Sequence, residues 1–253
     1  PPMLSRVVLN FSSQFVRRLC FSNDGKTLYT GDFHGNDQGV RRWDVATGKE
    51  LPLVLRVQSA QGVVDFALSP DGKMLALVGH DDDDTVLLWD LTAGTRLAVL
   101  NGAAPGHRMG TSRLEFASNN RYLVTLSGDP DHKNLRAWDM ETLKPTTQIG
   151  NDLDTENVLG FIISPDSSTL ITYDLKIARN DTPTVLKRFS LSSGKCLGLV
   201  KGLPSDSRNL VVAPDGRSIA FTTFKDPTNI RIMHWLDIFH SDLQPRNDVS
   251  SGR

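Results

Sequence analysis

The sequence has little of what would staple, anchor or steer a protein. Its only two cysteines, Cys20 and Cys196, belong to no Cys-x-x-Cys pair, which excludes a disulfide scaffold and a cysteine zinc motif. They read as two small buried apolar residues. No run of about 18 apolar residues occurs, so no membrane-crossing helix is expected. Pro1-Pro2-Met3-Leu4-Ser5 has no basic region followed by an apolar stretch, so no signal peptide is expected there. The compartment stays open, with the cytoplasm as the default. Charge of one sign is not in excess either. A formal net charge of −1 leaves no global field to draw the molecule to nucleic acid or to an anionic membrane. Also missing are a glycine-rich phosphate loop, a Gly-x-Ser-x-Gly elbow and a His-Glu-x-x-His pair, which removes the commonest signatures of nucleotide, acyl-transfer and zinc-hydrolase chemistry.

What is present is the composition of a soluble globular chain, 39% apolar and 23% charged, which excludes a disordered tail or a collagen-like rod. It is organised as a repeat. Five segments share one pattern: Phe21-Ser22-Asn23-Asp24-Gly25-Lys26, Leu68-Ser69-Pro70-Asp71-Gly72-Lys73, Phe116-Ala117-Ser118-Asn119-Asn120-Arg121, Ile163-Ser164-Pro165-Asp166-Ser167-Ser168 and Val212-Ala213-Pro214-Asp215-Gly216-Arg217. Their Asp/Asn column, Asp24, Asp71, Asn119, Asp166 and Asp215, advances in steps of 47, 48, 47 and 49. About 20 residues after each stands a second column: Trp43, Trp89, Trp138, Phe189 and Trp235, which holds all four tryptophans. Asp44, Asp90 and Asp139 follow the first three directly, Ser190 follows Phe189, and the last unit slips to Asp237. Repeats of this length signal stacked supersecondary units.

Each unit reads as four short strands. In the second these are Val63–Leu68, Met74–Val78, Val86–Trp89 and Leu97–Leu100. Pro-Asp-Gly and Thr-Gly turns separate them, since Asp and Gly tolerate turn geometry that branched residues resist. The first two strands are apolar on both faces, which suits a sheet covered on both sides. No helical periodicity is sustained. The tryptophans are expected in the core as large apolar anchors.

The Ser-Pro-Asp-Gly-Lys turn, the strand ends Val40 to Asp44 and Val86 to Asp90, and the Thr47-Gly48-Lys49 turn together resemble the WD-repeat β-propeller family. The resemblance runs from residue 5 to about 240 and implies an all-β propeller of four-stranded antiparallel blades. It implies one domain or fragment over residues 1–253. The units are approximately 11–57, 58–100, 101–149, 150–200 and 201–244, with a polar tail at 245–253. Five units fit either a closed five-bladed ring or an open arc of a larger propeller. Leu4 to Asn10 reads as an outer strand, and Asp237 to Gln244 as a weak last one. The Gly-His dipeptide of the family is mostly missing before the first strands, Gly106-His107 being the one candidate near the right place. In the family that His joins an Asp, a Ser/Thr and the Trp in a buried hydrogen-bond network, so most blades here are expected to rely on apolar packing.

The loops between second and third strands should share one rim. They carry Asp32, Asp37, Asp81, Asp82, Asp83, Asp84, Asp129, Asp131, Asp174, Asp181 and Asp226 against Lys133, Lys176, Arg179 and Lys225, eleven acids to four bases in a chain whose total is −1. Two readings stand side by side. Such a rim attracts basic segments of other proteins, or the aspartates are solvated turn residues. Calcium would also suit carboxylates, but the run at 81–84 lacks the spaced ligands of a calcium loop. His34, His80 and His132 lie on the same loops. A metal there would need them to converge from different blades, so no metal and no cofactor are expected. Arg17, Arg18, Arg41 and Arg42 sit on strands, either paired with an acid of a neighbouring blade or in contact with a ligand.

The resemblance implies a non-catalytic scaffold binding other proteins at rim and channel mouth, with no nucleic acid and no membrane insertion. The alternatives are a docking or sensory module of a larger multidomain regulator, with linked domains outside this chain, and a metal-dependent propeller enzyme.

Overall fold

The computed structural model describes residues 15–33, 39–52, 55–56, 62–79, 85–101, 113–126, 135–149, 158–174, 184–204, 207–213, 218–223, 225–226 and 228–234. Among these the protein is all-β, and no helix is long and apolar enough to cross a membrane. The strands form five antiparallel sheets, each a run of consecutive strands. The first sheet holds β1 (Phe15–Phe21), β2 (Thr27–Phe33), β3 (Gly39–Asp44) and β4 (Leu55–Arg56). The second holds β5 (Val63–Leu68), β6 (Met74–Gly79), β7 (Thr85–Asp90) and β8 (Thr95–Asn101). The third holds β9 (Arg113–Phe116), β10 (Tyr122–Leu126), β11 (Leu135–Asp139) and β12 (Lys144–Gln148). The fourth holds β13 (Val158–Ile163), β14 (Thr169–Asp174), β15 (Thr184–Ser190) and β16 (Cys196–Leu203). The fifth has three described strands, β17 (Ser207–Val212), β18 (Ser218–Thr223) and β19 (Arg231–His234). These are the propeller blades that the repeat implied. The outer strands expected at 4–10 and 237–244 lie outside the described residues.

The chain divides into two compact units: Pro1–Glu156 with Leu191–Gly194, and Asn157–Ser190 with Lys195–Arg253. The first three sheets belong to the first unit and the last two to the second.

The turn motif works through its side chains. The Ser22 hydroxyl donates to Asp24 Oδ1 at 2.6 Å and accepts from the Thr27 amide at 2.9 Å, while Asp24 Oδ1 accepts from the Lys26 amide at 3.0 Å. Ser69 and Asp71 repeat this with Met74 and Lys73, and Ser164 and Asp166 with Thr169 and Ser168. In the third repeat Ala117 replaces the serine, and Asn119 still caps the Arg121 amide at 2.9 Å. The next residue takes a left-handed conformation, φ +68° at Gly25 and +71° at Gly72. That geometry favours glycine, yet Asn120 and Ser167 adopt it too. The aspartate after each tryptophan is a second turn cap. Asp44 Oδ1 accepts from the Thr47 amide and hydroxyl, both at 2.7 Å, and Asp90 and Asp139 accept from the amides two and three residues on. These bonds hold the Asp24, Asp44 and Asp166 carboxyls below the usual carboxylate range. Burial pushes Asp71 and Asp139 up, but turn hydrogen bonds outweigh it and both also end low.

Between the sheets lies the core. In the first unit Tyr29 and Val40 of the first sheet pack with Val63, Phe66, Leu75 and Leu77 of the second. A further cluster joins Ala67, Val78, Val86 and Leu88 to Leu114, Phe116, Leu123 and Trp138 of the third. In the second unit Ile162, Ile171, Tyr173 and Leu186 pack with Leu210, Ile219 and Phe221. Each fully buried side chain of this size contributes about 1.5–3 kcal/mol.

The tryptophan column confirms the core reading for Trp43 and Trp138, with Phe189 buried in the same place, while Trp89 is half-buried and Trp235 lies outside the described residues. Two repeats also keep a polar link. Trp43 Nε1 donates to Thr30 Oγ1 at 3.1 Å and Trp138 Nε1 to Thr125 Oγ1 at 3.2 Å. Apolar packing is expected for most blades, and these two add an indole–threonine bond to it. The cysteine reading changes as well: both thiols are free, Cys20 is half-buried and Cys196 exposed.

Candidate functional site

Polar side chains converge on the first strands of the sheets. Six places before the turn Asp/Asn stand Arg18, Asp65, Arg113, Gly160 and Asn209. In the first unit β1 lies beside β5, and β5 beside β9, so a positive, a negative and a positive residue follow one another across three sheets. The pairing slips by one residue between Val16 and Arg18 in β1, and between Val63 and Asp65 in β5. Such bulges re-aim the side chain that follows.

Asp65 is the centre of the group. Its side chain is 7% exposed, its Oδ1 meets Arg18 Nε at 3.1 Å, and its Oδ2 accepts the Leu114 amide of β9 at 2.9 Å. One carboxylate thus ties the second sheet to both neighbours. Burial pushes its carboxyl up, and Arg18, the Leu114 amide and Arg113 act against that. Beyond it Arg113 Nη2 meets Glu115 Oε2 at 2.9 Å. Partial burial also raises the Glu115 carboxyl, Arg113 opposes the rise and the charge of Asp65 adds to it. The Cys20 thiol near Arg18 is pushed up by burial, which lowers its reactivity.

Two guanidinium groups and two carboxylates here neutralise one another. Breaking such a partly buried set by removing one member is costly because it strands the partner, so the set locks the first strands together. Arg18 and Arg113 keep 44% and 35% of their side-chain surface exposed. In the fourth repeat the same position is Gly160, and the Tyr173 ring and hydroxyl occupy the space a Cβ would need.

Of the arginines read from sequence, Arg18 makes a cross-sheet ion pair. Arg41 instead pairs with Glu50 at 2.9 Å within its own repeat, and Arg42 donates to the Pro52 carbonyl at 3.0 Å. The side chain of Arg17 lies outside the described residues.

The rim residues are mostly beyond description. His34, Asp37, His80, Asp81, Asp82, Asp83, Asp84, Asp129, Asp131, His132 and Asp181 all lie outside the described residues, as does Asp215 of the turn column. Asp32 and Asp174, expected on loops, instead belong to strands, paired with Val16 and Val158; their side chains are not among those described. Asp226 accepts from Asn229 Nδ2 at 2.9 Å and lies 3.8 Å from Arg231, which makes it a turn residue. Sequence reasoning missed Asp65, Arg113 and Glu115. The available signal was the alternation of charge at one position of the repeat.

The family description "WD domain, G-beta repeat" matches residues 5–44 and 52–90. The chain is 32% identical over 129 residues to small ribosomal subunit protein RACK1y of Oryza sativa subsp. japonica, an alignment covering 48% of this chain and 33% of that one. It is 30% identical over 167 residues to target of rapamycin complex subunit wat1 of Schizosaccharomyces pombe, covering 66% and 48%. It is 29% identical over 133 residues to the LST8 homolog of Drosophila melanogaster, covering 51% and 39%. The chain thus spans a third to about half of the length of these relatives. Among solved structures, Kuenenia stuttgartiensis hydrazine synthase is similar with a TM-score of 0.65 at 18% identity, over 92% of this chain and 66% of that chain, a likeness of fold. These matches identify WD repeats in the first two units, and the later units carry the same repeat columns, turn caps and sheet order.

Proposed function

We propose that this chain is a non-catalytic protein-interaction module whose acidic inter-strand loops receive basic segments of partner proteins. The observation that carries the proposal is the distribution of charge. The group of Arg18, Asp65, Arg113 and Glu115 sums to zero, whereas the loops after the second strands hold nine acids against four bases, with Asp32 and Asp174 at the ends of the strands that lead into them. Uncompensated negative charge on loops of one kind attracts cationic segments and speeds encounter. The printed names of the relatives fit an assembly role: one is a subunit of a target of rapamycin complex and another a protein of the small ribosomal subunit.

The test replaces Asp81, Asp82, Asp83 and Asp84 by Asn and measures binding of a Lys/Arg-rich peptide by calorimetry at low and high salt. Screening acts on exposed charges over about 10 Å at 0.1 M salt. Wild-type binding should therefore fall with salt, and the variant should bind several-fold more weakly at low salt. Binding equal in both proteins and indifferent to salt would overturn the reading.

A further inference from the structure

The third strands carry a column of cations. In the five repeats Arg41, Leu87, Arg136, Lys187 and Arg231 pair across the sheet with Thr30, Leu77, Thr125, Thr172 and Phe221 of the second strands. In the first and third repeats the tryptophan stands two residues further on, so cation and indole share a face. In the third sheet that face is packed on the second, where Trp138 clusters with Val78, Val86 and Leu88.

A cation withdrawn from water calls for a counter-charge. Arg41, with a side chain 11% exposed, has one: its Nη1 meets Glu50 Oε1 at 2.9 Å. Arg231 lies 3.8 Å from Asp226, and Lys187 is engaged as well. Arg136 is different. It is half-buried with its Nε fully buried, and among the described residues its side chain has no hydrogen-bond or ion-pair partner. The register gives the reason. Glu50 stands across from Trp43, and the residue across from Trp138 in the same way is Pro145. The cross-strand neighbours of Arg136, Thr125 and Gln148, carry no charge, and the Thr125 hydroxyl already accepts the Trp138 indole N–H. The third repeat keeps the cation and lacks the acid. A buried donor left unsatisfied costs stability, and a ligand that supplies the acceptor recovers it.

We propose that Arg136 is a carboxylate-binding site, where a carboxylate brought by a ligand takes the place that Glu50 holds at Arg41. The first repeat shows this pairing within the chain itself, which is why the ligand group is a carboxylate. The planar guanidinium offers Nε–H and one Nη–H side by side, and the two oxygens of a carboxylate match them. With Nε buried, water competes less for the bond. The carboxylate can belong to a small acid or to a Glu or Asp side chain of a peptide. The site lies within the first unit and does not rest on the function proposed above, because its ligand is anionic and the acids at 81–84 take no part in it.

The experiment reads the arginine Nε–H signals of the isotope-labelled chain by NMR during titration with acetate and, separately, with acetyl-Ala-Glu-Ala-amide and its Gln counterpart. Arg136→Gln identifies the signal by removing it. In the wild type that signal should shift saturably with acetate, the Glu peptide or both, with a dissociation constant on the order of 1 mM. A response to acetate marks a site open to small acids, and a response to the Glu peptide alone marks a peptide site. Pro145→Glu returns the acid from within the chain at an exposed position, so the response should be lost and the melting temperature should rise. Changing Arg96, an exposed arginine of β8, to Gln should leave the response unchanged, as should replacing Asp81 to Asp84 by Asn, so this idea and the acidic-loop reading fail separately. No saturable shift, an equal shift with the Gln peptide, or a response that survives in Pro145→Glu would each overturn the proposal. So would a shift that appears only after Asp129 and Asp131 are changed to Asn, which would assign Arg136 to the chain's own loop.

Discussion

Repeats one and three share one pair of groups that repeats two and four do not keep together, the indole of the tryptophan column and a threonine of the second strand. In the first repeat Leu28 pairs with Trp43, and Thr30, two residues further on, receives the indole N–H. In the third, Leu123 pairs with Trp138 and Thr125 receives it. The second repeat keeps the tryptophan but has Leu77 at the threonine position, and the Trp89 indole nitrogen is buried without a hydrogen-bond partner. The fourth keeps the threonine but has Phe189, and Thr172 Oγ1 is the buried hydroxyl left unpaired. The pair was split, one half in each repeat. The lesson is that sheet packing tolerates the loss of either partner, at the cost of stranding the other.

That contrast can be broken most strongly at the tryptophans. Trp43→Phe removes the bond and strands Thr30, and it should cost about 2–3 kcal/mol, counting lost packing. Trp89→Phe deletes an indole N–H that has no partner, so the lost area is offset and the change should stay below about 1 kcal/mol. Urea unfolding of both variants measures the difference, and equal costs would show that the indole bond contributes nothing.

Next in size are the threonines, where a substitution of nearly the same shape should change sign between repeats. Thr30→Val or Thr125→Val leaves a buried indole N–H unsatisfied and should destabilise by about 1–2 kcal/mol. Thr172→Val removes an orphaned hydroxyl and should stabilise by up to about 1 kcal/mol. Melting temperatures that move the same way in all three would contradict the split-pair account.

The smallest effect concerns polar groups that are satisfied. The depressed turn carboxylates of Asp24, Asp44, Asp71, Asp139 and Asp166 contribute stability above the ordinary Asp value of about 3.9, and it is lost as pH falls through their folded values. Asp65 has a raised value, so its folded form binds a proton more readily and acidification favours it. Wild type should therefore lose stability below about pH 4. Measured against Asp65→Asn, it should gain as pH falls through the raised Asp65 value. A wild-type-to-variant difference that is flat with pH would mean that the two Asp65 environments, folded and unfolded, are equivalent.

Much of the fold was legible because the signals were local. Pro-Asp-Gly and Trp-Asp turns rely on side chains capping amides two or three residues away, so Asp24, Asp71, Asp44 and Asp90 could be read from spacing alone, and the strands of the second unit fall close to where alternation and turns put them. The candidate site was less legible. Arg18, Asp65 and Arg113 are 47 and 48 residues apart, and nothing in the local sequence says that the bulges in β1 and β5 aim the first two at one another. Asp226 shows the converse: its membership of an acidic loop was readable, while its use as a partner for Asn229 was not.

The sequence by itself determined the number of repeats, their register and the turns that separate strands, since these depend on interactions within a few residues. Only the tertiary structure decided which charges meet across sheets and which tryptophan finds a threonine. Equivalent positions in a repeat have the same local chemistry, and what distinguishes them is the neighbouring sheet, which a repeat column cannot report.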